Sequence, residues 1–371
     1  MRRRLAIKTI IQTTRPSHFR NQPFSPPPAT GLAASLQVTF TFVIALTTGG
    51  VLAGAAVEVE SPTEPIAQFR VVEGYNIYAP LIVQPAGESR RLLYFGGWLT
   101  RRDFPHDAIY ECDIGPTVDH APTCSGPHAV ITSEALSSPA MHINNPSIRY
   151  IPQLGLYAVA ATVCADSCQN PRDSQVWIGT TVSLTTPWKL KMLLDQGAAE
   201  PTFGEISESG DRVTLVYSRR GDMSHLYGLA LEPLTSTPIG SPFVYLTDPG
   251  RYALTNPSYS EIGDYRLLLW NRLTGDFDPS LGRAAATGVD VAMAVAKKGG
   301  AWQQRGVLLQ QNTDICAYLT PSSVANRDDT ISVLVGLVKR AGDKWCRLAG
   351  KSSEIDQFIY RKDQLLLGTD R

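Results

Sequence analysis

Five residues stand directly before a recurring proline: Ala79, Asn145, Glu200, Asn256 and Thr320. Their types set the chemistry open to them. A glutamate can hold or release a proton at a reacting oxygen, an asparagine can orient a hydroxyl, and an alanine can do neither. Glu200 is therefore the one acid–base group among the five. Paired-carboxylate chemistry needs a second acid, and Asp107, after "GGWLTRRDFPH", is the leading candidate. Asp103, Glu205, Asp222 and Asp276 occupy comparable places, and each reads equally well as a surface-turn residue; Asp107 could simply pair with Arg101 or Arg102. Near the same positions stand His142, Asn144, Arg219, Arg220, Asn271 and Arg272, with Trp98 and Trp270 near the ends of apolar runs. Aromatic faces with polar rims suit stacking on a sugar and bonding to its hydroxyls. The same tryptophans suit packing between sheets, and His142 suits a hydrogen-bonded structural role.

The elements that would hold these residues are strands. Pro80, Pro146, Pro201, Pro257 and Pro321 recur every 55 to 66 residues, which suggests one supersecondary unit repeated five times. After each proline the chain offers a strand-like run and a turn. A strongly apolar second strand follows: "RLLYFGGW", "GLYAVAATV", "RVTLVYS", "YRLLLWN" and "TISVLVGLV". Third strands follow, among them "DAIYECDI", "QVWIGTTV" and, in the last repeat, "WCRLAGKSS"; most repeats add a fourth, "QFIYRKDQLLL" in the last. These runs are rich in Val, Ile, Leu, Tyr and Thr and are separated by Gly, Asp, Asn and Pro. The expected fold is all-β: a five-bladed β-propeller with about four antiparallel strands per blade. The first strand of each blade lines the axis. The proline is expected at that strand's start, where a missing N–H costs least, so its neighbours would ring a common pocket. A two-sheet sandwich is the rival architecture.

The motifs "YFGGW", "HDAIYECD", "HINNPSI" and "AEPTF", spread over a five-fold pattern from residue 75 to 365, resemble the clan of family 43 glycoside hydrolases: arabinanases, xylosidases and arabinofuranosidases. The resemblance implies three carboxylates: an Asp before the blade-one proline as base, an Asp before the blade-two proline as modulator, and a blade-three Glu as acid. Here those places hold Ala79, Asn145 and Glu200. One matches and two do not. The resemblance thus implies a hydrolase-like protein acting on a furanoside or related glycan, with Glu200 as acid; Asp107, which no family motif places, is the candidate second carboxylate from the residues themselves. Asn145, His142, Asn144, Trp98, Arg219, Asn271 and Trp270 would bind substrate. The loss of two carboxylates leaves a non-catalytic propeller, binding glycan or protein, as the alternative.

The 371 residues carry 34 basic and 34 acidic side chains, but unevenly. Residues 1–56 hold six Arg or Lys and no acid, so the remainder has 28 basic (34−6) against 34 acidic residues. A net-acidic body is a poor match for nucleic acid. The basic leader followed by an uncharged run from Gly31 to Ala56 reads as a signal peptide cut near Ala55 or as an N-terminal anchor. Residues 57–371 would then form the propeller, exported to a periplasmic or extracellular setting. Six cysteines fall in local pairs, Cys112 with Cys124, Cys164 with Cys168 and Cys316 with Cys346, which favours three disulfides, each within one repeat. Metal binding competes, but no CxxC occurs and the six histidines do not cluster. No phosphate loop, nucleotide fingerprint or G-x-S-x-G turn is present, so neither a metal nor another cofactor is expected.

Overall fold

The computed structural model describes the chain between residues 65 and 366, leaving out 1–64, 66, 72–75, 100–106, 116–122, 125, 133–135, 137–141, 165–172, 186, 249–251, 275–287, 327, 340–353 and 367–371. The leader, Arg101, Arg102, Asp103, Asp276, Cys168 and Cys346 therefore lie outside the described residues. The rest is almost wholly strand. Blade one is β2 (Asn76–Val83), β3 (Arg91–Trp98), β4 (Ala108–Gly115) and β6 (His128–Ile131). Blade two is β7 (His142–Ile151), β8 (Leu156–Cys164), β9 (Ser174–Thr181) and β10 (Lys191–Leu194). Blade three is β11 (Ala198–Ile206), β12 (Val213–Arg219), β13 (Asp222–Glu232) and β14 (Thr237–Thr247). Blade four is β15 (Ala253–Ile262), β16 (Tyr265–Thr274), β17 (Gly288–Lys297) and β18 (Gln303–Leu309). Blade five is β19 (Ile315–Ala325), β20 (Thr330–Lys339), β21 (Glu354–Arg361) and, from the other end of the chain, β1 (Ala67–Val71). Pairing within each blade is antiparallel.

The inner strands β2, β7, β11, β15 and β19 each touch two others and close a ring. Because every blade repeats one order, all five begin at the same mouth of the central channel. The second strands explain the apolar runs in the sequence. Every residue of β8 is buried. Tyr157, Val159, Ala161 and Val163 pack with Leu92, Tyr94 and Ile109 of blade one, while Ala158 and Ala160 pack with Val213, Leu215 and Tyr217 of blade three. A strand buried on both faces has no polar side to show, so alternation is lost and the run reads as continuous. Each fully buried Leu or Ile contributes about 1.5–3 kcal/mol.

Two expectations change. The fifth blade's third strand is β21, which overlaps the run 357–367 expected as its fourth; the run 345–353 expected as its third lies outside the described residues, and residues 362–366 form a short helix, α1 (Lys362–Leu366). Its outer strand is β1, paired with β21 from Ala67↔Gln357 to Arg70↔Glu354. The five prolines, expected at strand starts, lie inside the inner strands, at a break in the ladder described below. The reason is the other licence proline has within a sheet: a bulge also removes the need for its N–H.

Cys112 and Cys124 are bridged. Cys124 lies on a two-residue strand, β5 (Thr123–Cys124), which pairs in parallel with β1. The bridge thus fastens the third strand of blade one to the outer rim of blade five. Cys164 and Cys316 are also disulfide-bonded. Among the described residues no helix is long and apolar enough to cross a membrane.

Candidate functional site in the central channel

Every inner strand breaks register at the same place: between Tyr78 and Leu81, Asn144 and Ser147, Ala199 and Thr202, Thr255 and Ser258, and Leu319 and Ser322. The bulged pair in each case is the x-Pro dipeptide. Each residue before the proline has a left-handed backbone: φ is 52° at Ala79, 52° at Asn145, 59° at Glu200, 49° at Asn256 and 46° at Thr320. None is glycine, and such conformations cost about 1–3 kcal/mol each. All five dipeptides line one central cavity. Its enclosed part measures about 70 Å3, room for a handful of waters, so a sugar ring would have to sit at the mouth.

A bulge takes a backbone N–H out of the ladder, and a buried N–H must find another partner. The preceding blade supplies it, in rotation. Thr162 Oγ1 accepts from the Glu200 N–H at 2.7 Å. Glu200 Oε2 accepts from the Asn256 N–H at 2.8 Å. Asn271 Oδ1 accepts from the Thr320 N–H at 2.7 Å. Thr320 Oγ1 accepts from the Ala79 N–H at 2.9 Å. Four seams, from blade two round to blade one, are therefore latched by one side chain each. At the seam between blades one and two the corresponding places hold Ala79 and Gly96, which have no polar side chain to offer.

That seam is joined differently. Asp107, buried just ahead of β4, accepts a hydrogen bond from the Tyr78 hydroxyl, and the same Oδ2 lies 2.9 Å from Nδ1 of His142, the first residue of β7. So the carboxylate of blade one holds the imidazole of blade two. His142 Nε2, Asp107 Oδ1 and Asn144 Oδ1 are buried and have no hydrogen-bond partner among the described residues.

Glu200 is 2% exposed. Its Oε2 also accepts from the Ser218 hydroxyl at 2.7 Å, and Oε1 lies 3.9 Å from Arg220 Nη2. Burial pulls the Arg220 guanidinium down to about 10, which leaves it cationic at neutral pH. Glu200 and Asp107 are thus both buried carboxylates borne by, or bonded to, residues of the inner strands. The other sequence candidates scatter. Asn271 is fully buried and acts as a latch. Trp270, 1% exposed, packs among Leu226, Leu254 and Leu268 in the seam between blades three and four, so its ring faces core rather than ligand. Trp98 is half-buried at the end of β3, paired with Asn76. Arg219 is exposed, its guanidinium 5.6 Å from the Tyr227 ring. Asn145 donates from Nδ2 to Asn256 Oδ1 at 2.9 Å, linking two members of the ring. Glu205 pairs with Arg266 and Tyr245. Asp222 is held below the ordinary range by the Ser224 hydroxyl and then that of Tyr227.

Sequence reasoning missed four buried carboxylates among the described residues, Asp248, Asp290, Asp356 and Glu111; Glu111, on β4, accepts from the Tyr94 hydroxyl at 3.0 Å and is raised above the usual glutamate range by burial. Its signal was an acid inside an apolar strand. Among the described residues no cluster of three or more His, Cys, Asp and Glu could hold a metal.

No protein-family profile matches the chain, and no curated protein matches it. Solved structures do. An exo-1,5-α-L-arabinanase from a bovine ruminal metagenomic library is 15% identical over 78% of this chain and 95% of that one, with a TM-score of 0.52. An α-L-arabinofuranosidase from Lactobacillus brevis is 12% identical over 78% and 92%, with a TM-score of 0.55. A xylan β-1,4-xylosidase from Bacillus halodurans is 14% identical over 78% of this chain, which spans 54% of that longer protein, with a TM-score of 0.50. At these identities the likeness establishes the fold, the five-bladed propeller of family 43 glycoside hydrolases.

Proposed function

We propose that this propeller of the family 43 type is an exported, glycoside hydrolase-like protein that acts on a furanoside or related glycan at the mouth of its central channel. The observation that carries the reading is Glu200. It occupies the ring position to which the family resemblance assigns the acid, it is buried, and a second buried carboxylate, Asp107, belongs to the same inner-strand assembly. The structural neighbours are named for arabinan, arabinofuranoside and xylan, and the polar channel lining of Asn145, Ser147, Asn256 and Thr320 suits hydroxylated ligands. In the reaction, Glu200 donates its proton to the departing glycosidic oxygen. Because Oε2 already accepts two hydrogen bonds, that proton sits on Oε1. The Asp107–His142 pair supplies the second titratable group, in place of the carboxylates absent at Ala79 and Asn145. Arg220 steadies the glutamate that remains after transfer. The disulfide between Cys112 and Cys124 fits an oxidising compartment.

One observation favours a second reading. Glu200 Oε2 is spent on the Asn256 N–H, a latch that a binding propeller would need as much as an enzyme. A screen of furanoside and xylan polymers for cleavage and for binding separates the two. Cleavage that Glu200→Gln cuts by two to four orders of magnitude, roughly the usual contribution of general acid–base catalysis, supports the hydrolase. Binding without cleavage of any polymer moves the assignment to the glycan-binding propeller.

A further inference from the structure

The pair Asp107–His142 contains two groups that could take a proton, and the hydrogen bonds distinguish them. Asp107 Oδ2 accepts from the Tyr78 hydroxyl. An ionised carboxylate is acceptor only, so its 2.9 Å contact with His142 Nδ1 requires the proton on Nδ1. Neutral His142 then carries its lone pair on Nε2. That atom is buried and has no partner among the described residues, a state that is costly unless something fills it. Two residues along the same strand, and on the same face by the period of β-structure, Asn144 Oδ1 is a second buried acceptor in the same condition. Two acceptors side by side call for a ligand with two donors, which describes a water molecule. Both precede Asn145, whose bulge opens onto the channel.

We infer that His142 Nε2 is the proton acceptor for a nucleophilic water, with Asn144 Oδ1 orienting the water's other O–H and with Asp107 and Tyr78 as positioning residues. This rests on the hydrolase reading. The water oxygen forms a bond to the anomeric carbon as the bond to the leaving oxygen breaks. The water's proton passes to Nε2, and the Glu200 proton passes to the leaving oxygen. Exchange with solvent then resets both groups, and the net reaction is hydrolysis. Asp107 does not take the proton in this scheme. It selects the tautomer and fixes the ring, and the seam between blades one and two exchanges a backbone latch for an oriented base.

Two measurements on the full chain test this. The first is the tautomer of His142 by 15N-correlated NMR, with resonances assigned by His142→Gln. The Nδ1–H form is expected in the parent, and the Nε2–H form in Asp107→Asn, whose amide can donate to Nδ1. The second is turnover on a polymer that the parent cleaves. His142→Ala should lower kcat by about 10²–10⁴-fold with KM little changed. Added imidazoles should restore part of it in proportion to their basicity, a trend that a merely space-filling role would not give. Circular dichroism and thermal unfolding show whether each variant is folded. If His142→Ala does not fold, His142→Gln carries the kinetic comparison. The Nε2–H tautomer in the parent, undiminished turnover in a folded His142 variant, or rescue that ignores basicity overturns the base role alone. The expected tautomer with no cleavage of any glycan overturns the hydrolase reading, and the base role with it.

Discussion

Asn271→Ala is the sharpest test of the latch ring. The side chain is fully buried and makes four hydrogen bonds. Oδ1 accepts from the Thr320 N–H at 2.7 Å and from Asn256 Nδ2 at 2.9 Å; Nδ2 donates to the carbonyls of Tyr318 at 2.6 Å and Asp290 at 3.3 Å. Truncation strands two of these partners outright, the Thr320 N–H and the Tyr318 carbonyl, and each buried orphan costs about 1–3 kcal/mol. Asn256 Nδ2 keeps a bond to Thr255 Oγ1 at 3.2 Å, and the Asp290 contact is long, so these add less. The expected loss is about 3–5 kcal/mol, or about 5–8 °C in Tm for a domain of this size. Denaturant unfolding followed by tryptophan fluorescence measures it, with Thr320→Val as a milder companion that orphans only the Ala79 N–H. A loss under about 1 kcal/mol with diminished glycan binding would refute the latch and return Asn271 to the ligand contacts suggested by its sequence position.

Glu200→Gln keeps an oxygen for the Asn256 N–H, so it should remain folded and bind glycan while turnover collapses; equal loss of binding and turnover in an assay of both would make Glu200 purely structural. Replacing Cys112 and Cys124 with serine should cost about 2–4 kcal/mol, read by unfolding of the parent and the variant without reductant. Burial raises the Glu111 carboxyl above its ordinary 4.5, so the folded chain holds that proton more tightly than the unfolded one. The associated stability is present below about pH 4.5 and is lost as pH rises through the folded value. Glu111→Gln, which can still accept from Tyr94, should therefore be the more stable protein at neutral pH, its advantage vanishing below pH 4.5; an advantage independent of pH would contradict the assignment. Deleting the chain through Val71 should leave the β21 edge unpaired and produce an aggregation-prone protein by light scattering; a monomeric variant with unchanged Tm would show that β1 is dispensable.

The parts of this protein legible in its sequence were those governed by neighbouring residues. The x-Pro repeat marks a constraint within one dipeptide, a proline without an N–H beside a left-handed residue, and it identified all five channel positions, including Glu200. The apolar second strands were legible because burial on both faces leaves an unbroken run. What stayed hidden depends on partners far along the chain. The latch between Ala79 and Thr320 joins residues 241 apart, and nothing local to either announces it. The same holds for His142: its strand was evident, but the carboxylate against it comes from another blade. Trp270 was misplaced for a related reason. The end of a strand gives no sign of whether its next layer is solvent or the neighbouring blade. Proline marked the position in each blade, but not that a bulge, instead of the strand's start, was what made it welcome.

The pairing of β1 with β21 has a consequence for how the protein is made. Among the described strands β1 is made first and placed late, because its partner β21 follows it by about 290 residues (Ala67 to Gln357, 357−67). Blades two, three and four can each pair their strands as soon as those strands emerge, since their pairings are local. Blade five cannot be completed, nor the ring drawn shut, until β21 is present, and such distant strand pairing is intrinsically slow. The delay keeps the body open until β21 has emerged. It also makes the ring a checkpoint on length. A product truncated anywhere before Glu354 lacks the strand that receives β1 and is left with an exposed edge by which quality control can recognise it.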